Sequence, residues 1–108
     1  MDIITFGKKE EDKEYIWRPA VYGLIFNSQK DKIAIIQTGD GKYFLPGGGI
    51  EINEMHEECL RREAIEEMGM EIEIRQFVGR AQRYFYSPNE LRHYLNEGYF
   101  IYVIRANN

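Results

Sequence analysis

Three glutamates, Glu63, Glu66 and Glu67, stand at a spacing that a helix turns into a single acidic face. At about 100° per residue they fall within one arc, with Glu63 in the middle. Each like-charged neighbour pair costs about 0.2–0.5 kcal/mol. The arc also lies in the last turns of the helix, where the macrodipole disfavours negative charge. A hard cation such as magnesium or manganese supplies a reason for it, because such ions take oxygen ligands converging from one side. The competing pattern is plain surface, since Glu57–Arg61, Glu58–Arg62 and Arg62–Glu66 are opposite-charge pairs that a solvated helix carries. Gly47-Gly48-Gly49 lies just upstream and reads either as backbone cradling a ligand or as an irregular strand exit.

The elements that must position these residues follow from the hydropathy pattern. Ala20 to Phe26 reads as a buried strand, Lys32 to Thr38 as a second, and Gly39-Asp40-Gly41 as a tight turn. Tyr43 to Leu45 is a short strand ended by Pro46. Asn53 is placed as the N-cap of a helix over Glu54 to Met68, with Gly69 as its stop. Leu60, Ala64 and Met68 form the core stripe of that helix. Met70 to Val78 and Arg80 to Tyr86 are extended, and Ser87-Pro88-Asn89 breaks them. Glu90 to Asn96 is expected as a short helical excursion before a last strand, Gly98 to Arg105. Residues 1–17 read as an N-terminal arm, and the mixed-charge stretch Lys8 to Glu14 within it as a solvated turn or arm. The result is an α/β (α+β) chain, a mixed sheet with one central helix and too few helices to cover its second face.

Composition narrows the function classes. The 108 residues allow one domain, and 44% hydrophobic content suffices for a core. The net charge of −4 argues against a nucleic-acid polymer as partner, which needs a basic face. No apolar run approaches a membrane span, so no membrane partner is expected. The single Cys59 cannot form an intrachain disulfide and fits a cytoplasmic location. On the helix it reads as a small packed residue without an activating partner.

Taken in register, the glycines and glutamates are far more specific than either alone. From Gly48 the chain runs GGIEINEMHEECLRREAIEEMGM, with Glu54, Arg62, Glu63, Glu66, Glu67 and Gly69 at fixed intervals. This resembles the Nudix box of the Nudix hydrolases, the MutT-like family, over residues 48–70. Leu45-Pro46-Gly47-Gly48 is similar to the usual lead-in, while Ala64 is smaller than the aliphatic residue the family favours. The resemblance implies a Nudix-like α/β/α sandwich. It further implies divalent-metal-dependent hydrolysis of a pyrophosphate bond in a nucleoside diphosphate linked to another moiety. Nucleoside triphosphates, dinucleoside polyphosphates and nucleotide sugars are all such substrates.

By the same resemblance Glu63, Glu66, Glu67 and the backbone carbonyl of Gly48 would hold Mg2+ or Mn2+. Glu63 or Glu67 would be the general base, Arg62 would orient Glu63, and Glu54 would be an outer ligand. Tyr84 and Tyr86 are candidates for stacking on a nucleobase, and Arg80 and Arg83 for phosphate contacts. Glu90 and Glu97 are carboxylates outside the box that could act as base or extra ligand. The alternative function is a catalytically weak or inactive Nudix-fold nucleotide-binding module, though such modules tend to lose box carboxylates that are all present here. Family domains usually continue past the last strand into a helix packed on the sheet. The expectation is therefore a shortened domain over 18–108 lacking the C-terminal helix, with a homodimer as the other way to cover the exposed sheet.

Overall fold

Alternation of apolar residues on long extended segments builds the sheet, and one amphipathic helix seals one side of it. The computed structural model describes residues 3–106. In chain order the elements are β1 (Ile4–Phe6), β2 (Ile16–Ile25), β3 (Ile36–Gln37), β4 (Tyr43–Phe44), β5 (Gly47–Gly49), α1 (His56–Met68), β6 (Ile72–Ser87) and β7 (Arg92–Arg105). Five strands form a mixed sheet in the order β1-β6-β7-β2-β5, and β3 and β4 pair separately. β6 and β7 are an antiparallel hairpin, β2 runs parallel to β7, and β5 lies antiparallel along β2.

The core lies between α1 and the sheet. Cys59, Leu60 and Ala64 on the helix meet Val21, Ile25, Ile101 and Val103 on the central strands, all buried. Gly23 allows the close approach, since a Cβ there would lie 3.3 Å from a Leu60 methyl. The predicted stripe is borne out, with Met68 packed at its end. The opposite face carries Tyr22, Leu24, Phe100 and Tyr102, all half-buried. Among the described residues there is no second helix to cover it, as expected for a sandwich with one helical layer reduced.

Several expectations are corrected. Asn53 is not the N-cap: it takes a left-handed φ of 64°, and Met55 caps the helix, its N–H donating to Glu58 Oε1 at 2.9 Å. The cause is the turn before α1, where Glu54 N–H donates to the Glu51 carbonyl and Glu51 N–H to the Glu54 carboxylate. Gly69 ends the helix as expected, at φ 60°. The strand expected over Lys32 to Thr38 is reduced to β3 and one bridge, Phe26 to Ile33. The glycines after Pro46 form β5 instead of leaving the sheet.

Glu90 to Asn96 is not helical. Asn89 to Leu91 is a turn, and from Arg92 the chain pairs in register with β6, so His93 sits opposite Tyr86 and Asn96 opposite Arg83. From Tyr94 the segment is paired on both edges, with β6 and with β2, which satisfies backbone groups that a single helical turn leaves open. Residues 1–17, read as an arm, contribute β1, parallel to β6, and the first two residues of β2. Lys8 to Glu14 between them is exposed, and Met1 and Asp2 lie outside the described residues.

Leu60 fills the space between α1 and Gly23, so Leu60→Ala is expected to cost about 2–5 kcal/mol in a urea titration. A loss below about 1 kcal/mol would mean that the helix is not seated on the sheet as described.

Candidate active site

The acidic face of α1 turns toward β5, and one cation organises it. Arg62 donates to both Glu54 oxygens, from Nε at 2.7 Å and from Nη2 at 3.0 Å. Its Nη1 reaches Glu63 Oε1 at 2.9 Å and Glu66 Oε2 at 3.2 Å. Nη2 also donates to the Gly49 carbonyl at 3.3 Å and lies 3.7 Å from Glu51. One planar guanidinium therefore ties the turn before the helix, the helix and the glycine strand together. The Glu54 and Glu63 side chains are well shielded, at 12% and 16% exposure, whereas that of Glu66 is 56% exposed.

Glu67 is held differently. Its Oε1 accepts the Gly47 N–H at 2.9 Å, which places its carboxylate against the β5 edge. Partial burial, and behind it the charges of Glu63 and Glu66, raise its pKa from the ordinary glutamate value, while the Gly47 N–H opposes the shift. Glu54 goes the other way, to about 2, held down first by its hydrogen bonds from Arg62. Arg62 is in turn held firmly protonated, chiefly by Glu54. The buried Cys59 thiol is pushed up to about 12 by burial and by Glu54, which makes it inert and agrees with a packing role.

The glycines are needed for contact. A Cβ on Gly48 would stand 2.8 Å from the Glu63 carboxyl. One on Gly47, where φ is 140°, would collide with the Val21 carbonyl oxygen. A carboxylate and a backbone strand thus meet where no side chain fits.

Among the described residues no three acidic, histidine or cysteine side chains converge as a ready-made cation cage. Arg62 draws Glu63 and Glu66 toward itself, and Glu67 is turned to Gly47. The donor chemistry nevertheless fits a hard dication. It is oxygen throughout, and the bare backbone of Gly48 lets the Glu63 carboxylate lie directly against β5.

The remaining expected residues separate by face. Gly48, Val21, Tyr99 and Arg80 form one row across β5, β2, β7 and β6 on the α1 side. Arg80 stands beside Tyr99, whose hydroxyl donates to Glu97 and whose ring lies 4.2 Å from that of His56. Tyr84 and Tyr86 share this side but lie about 13 and 20 Å further along β6, at some 3.3 Å per residue. There they pack against Tyr15 and His93. Arg83 faces the opposite side, over the Phe85 ring. Glu90 is bound to Arg18 at 3.2 Å, away from the acidic face.

Sequence reasoning missed Glu51, Tyr22 and Tyr99. Glu51 could have been found inside the box turn. The tyrosines could not, because strand alternation gives two faces without saying which one meets the helix.

The depressed Glu54 pKa gives a pH test. Its ionised form is favoured by folding, so the stabilisation is complete above the ordinary glutamate value of 4.5 and is lost as pH falls toward about 2. Thermal melts of Glu54→Gln should lie below wild type at pH 7, by a gap that closes across that window. A constant gap would show that Arg62 does not hold Glu54.

A family profile described as the NUDIX domain matches residues 16–108. Among solved structures, an ADP-ribose pyrophosphatase from Streptococcus suis superposes with a TM-score of 0.63 at 22% identity, over 84% of this chain and 62% of that one. The MutT protein of Methanosarcina mazei gives 0.64 at 25% identity, over 87% and 69%. A UDP-X diphosphatase gives 0.61 at 17% identity, over 93% and 50%. The chain thus spans less than two thirds of the first and third of these proteins. Among curated proteins no sequence match is found. With the profile match running from the first residue of β2 through the glutamate helix and its glycine strand, the chain belongs to the NUDIX domain family.

Proposed function

We propose that the protein is a divalent-metal-dependent pyrophosphohydrolase acting on a nucleoside diphosphate linked to another moiety. The observation that carries this reading is that Arg62 holds Glu63 and Glu66 on one face of α1 while Glu63 and Glu67 lie against the side-chain-free Gly48 and Gly47 of β5. A multiply negative diphosphate cannot approach three carboxylates unaided, so positive charge must come from outside the helix. Glu63, Glu66, Glu67 and the Gly48 carbonyl would hold Mg2+ or Mn2+. When bound, such an ion neutralises phosphate oxygens and lowers the pKa of bound water.

The chain's own residues do the rest. Arg62 fixes the rotamer of Glu63 and, through Glu54, the turn that leads into α1. Either Glu63 or Glu67 accepts the proton of the attacking water. The raised pKa of Glu67 favours it for that role. Arg80, on the same side of the sheet, is the candidate for a substrate phosphate. A nucleotide-type small molecule is the partner, and a cytoplasmic location fits the lone buried thiol. No described helix is long and apolar enough to cross a membrane.

The test is phosphate, pyrophosphate or nucleoside monophosphate release from triphosphates, dinucleoside polyphosphates and nucleotide sugars, run with magnesium, manganese or chelator. Turnover of one class that stops with chelator is expected. Binding without turnover of any class would favour the non-hydrolytic module instead. Glu63→Gln should lower kcat by about 10²–10⁴-fold with the fold retained. Gly48→Ala should also lower kcat, because the new methyl displaces only the flexible end of Glu63. Wild-type rates in both variants would exclude this helix face as the catalytic one.

A further inference from the structure

The side of the sheet away from α1 is laid out evenly about one row. Tyr22, Phe100 and Gly79 lie in register across β2, β7 and β6. The row on one flank carries Ala20, Gly98, Ala81 and Ile4, and the row on the other carries Leu24, Tyr102 and Gln76. None of these three rows holds a charged side chain. The Tyr22 and Phe100 rings lean over Gly98, which levels the middle of the face. Charge returns in the outermost rows, with Arg18 and Arg83 at one end and Glu73 at the other. Asn96 and Ile104, the β7 partners of Arg83 and Glu73, are each four residues from Phe100. The two opposite charges of β6 therefore stand about 13 Å on either side of the middle row. Val78, 50% exposed at the bulge between Phe77 and Gly79, lies across that row from Ala81. A hollow of about 430 Å3 opens over Gly79 and Ala81, beside Leu24 and Phe100.

The edges of the sheet are closed to a further strand. Beyond β1, β6 is bulged twice, between Ile74 and Gln76 and between Phe77 and Gly79. Such bulges spoil an edge as a template for pairing. On β5 the Gly47 N–H donates to Glu67 and the Gly49 carbonyl accepts from Arg62. The face is what remains for association. Its five rows span about 26 Å and four strands about 19 Å, so two such faces together bury on the order of 1,000 Å2, where specific interfaces begin. Apolar patches of more than a few hundred Å2 mark interaction sites.

We propose that this face binds a second copy of the chain, sheet against sheet, about a twofold axis crossing the strands at the Tyr22–Phe100–Gly79 row. Such an axis reverses strand direction and sets each strand over its own counterpart. Arg83 then meets the partner's Glu73, and Val78 enters the hollow at the partner's Ala81. An axis along the strands would instead stack the Arg18 and Arg83 end on itself, against like charge. Arg83 has no acidic partner among the described residues, and Glu73 has only an exposed contact with Arg75 at 3.5 Å, which holds it weakly. Lys30, at the rim beside Phe26, faces the partner's Arg18, whose charge Glu90 already offsets at 3.2 Å. This match of a surface to itself about one row is what an interface between identical chains requires, and it selects a copy of this chain over another apolar partner. The acidic face of α1, on the far side of each sheet, stays open to solvent.

The test is sedimentation of the full chain through a dilution series, with a thermal melt of each variant to check folding. A species of twice the chain mass is expected. Arg83→Glu and Glu73→Arg each bring like charges together twice and should weaken dimerisation at least about tenfold. The double variant restores both pairs with signs exchanged and should return the dissociation constant to within about threefold of wild type. Val78→Asp, at an exposed position that leaves the fold intact, should also give monomer. Single reversals that leave the dimer unchanged, or a double variant as weak as the singles, would overturn this arrangement. A monomer at every dilution up to about 1 mM would overturn the proposal outright. Uptake of a hydrophobic dye by that monomer would assign the face to a partner of another kind.

Discussion

The guanidinium of Arg62 is the one group on which the geometry of the acidic face depends. Four carboxylates, from Glu51, Glu54, Glu63 and Glu66, lie within ion-pair distance of it. Without that charge they would repel one another across a few ångströms. The fork to Glu54 is bidentate and shielded, so it sets an angle as well as a distance. That angle fixes how the turn at Glu51 to Glu54 enters the helix. It thereby fixes which way Glu63, Glu66 and Glu67 point. A lysine could offer the charge but not the fork.

The second constraint is the narrowness of β5. Glycine at 47 and 48 is a matter of space: one position abuts a neighbouring carbonyl and the other a carboxylate. These residues let Glu67 hydrogen-bond to the strand backbone and let Glu63 lie against it. They also make the sheet edge thin, so the two faces of the sheet are close to each other at that one place. The acidic helix lies on one side of this edge and the half-buried aromatic residues Tyr22 and Phe100 on the other.

Burial divides the titratable groups in a way that matches this layout. Glu54 is pinned in its ionised form by Arg62, and Cys59 is pinned in its neutral form by burial. Glu67, pressed against β5 beside two other glutamates, is the carboxylate shifted toward protonation. Glu54 before the helix and Glu67 near its end are thus carboxylates of different basicity, a result of their neighbours and not of their residue type.

Much of this was legible in the residues themselves. The spacing of Glu63, Glu66 and Glu67, the Leu60–Ala64–Met68 stripe and the Gly69 stop follow from helical periodicity and left-handed backbone freedom, which are local properties. The register of glycine, Arg62 and the glutamates carried the family, because each is fixed by a contact that no other residue type makes as well. Local reasoning failed where long-range pairing decided the outcome. Asn53 is a good cap by itself, yet Glu54, drawn to Arg62, shifted the helix start to His56. Glu90 to Asn96 has a helical look, yet the β6 ladder took the segment from Arg92 on. Tyr84, Tyr86, Arg80 and Arg83 were legible as an aromatic and basic stretch, but alternation alone does not say which face meets α1. The sequence by itself determined which residues could bear the chemistry. Only the tertiary structure decided that Arg83 faces away from the helix, on the same side of the sheet as Tyr22 and Phe100. Strand register and the side on which the helix packs are set by contacts between residues far apart in the chain.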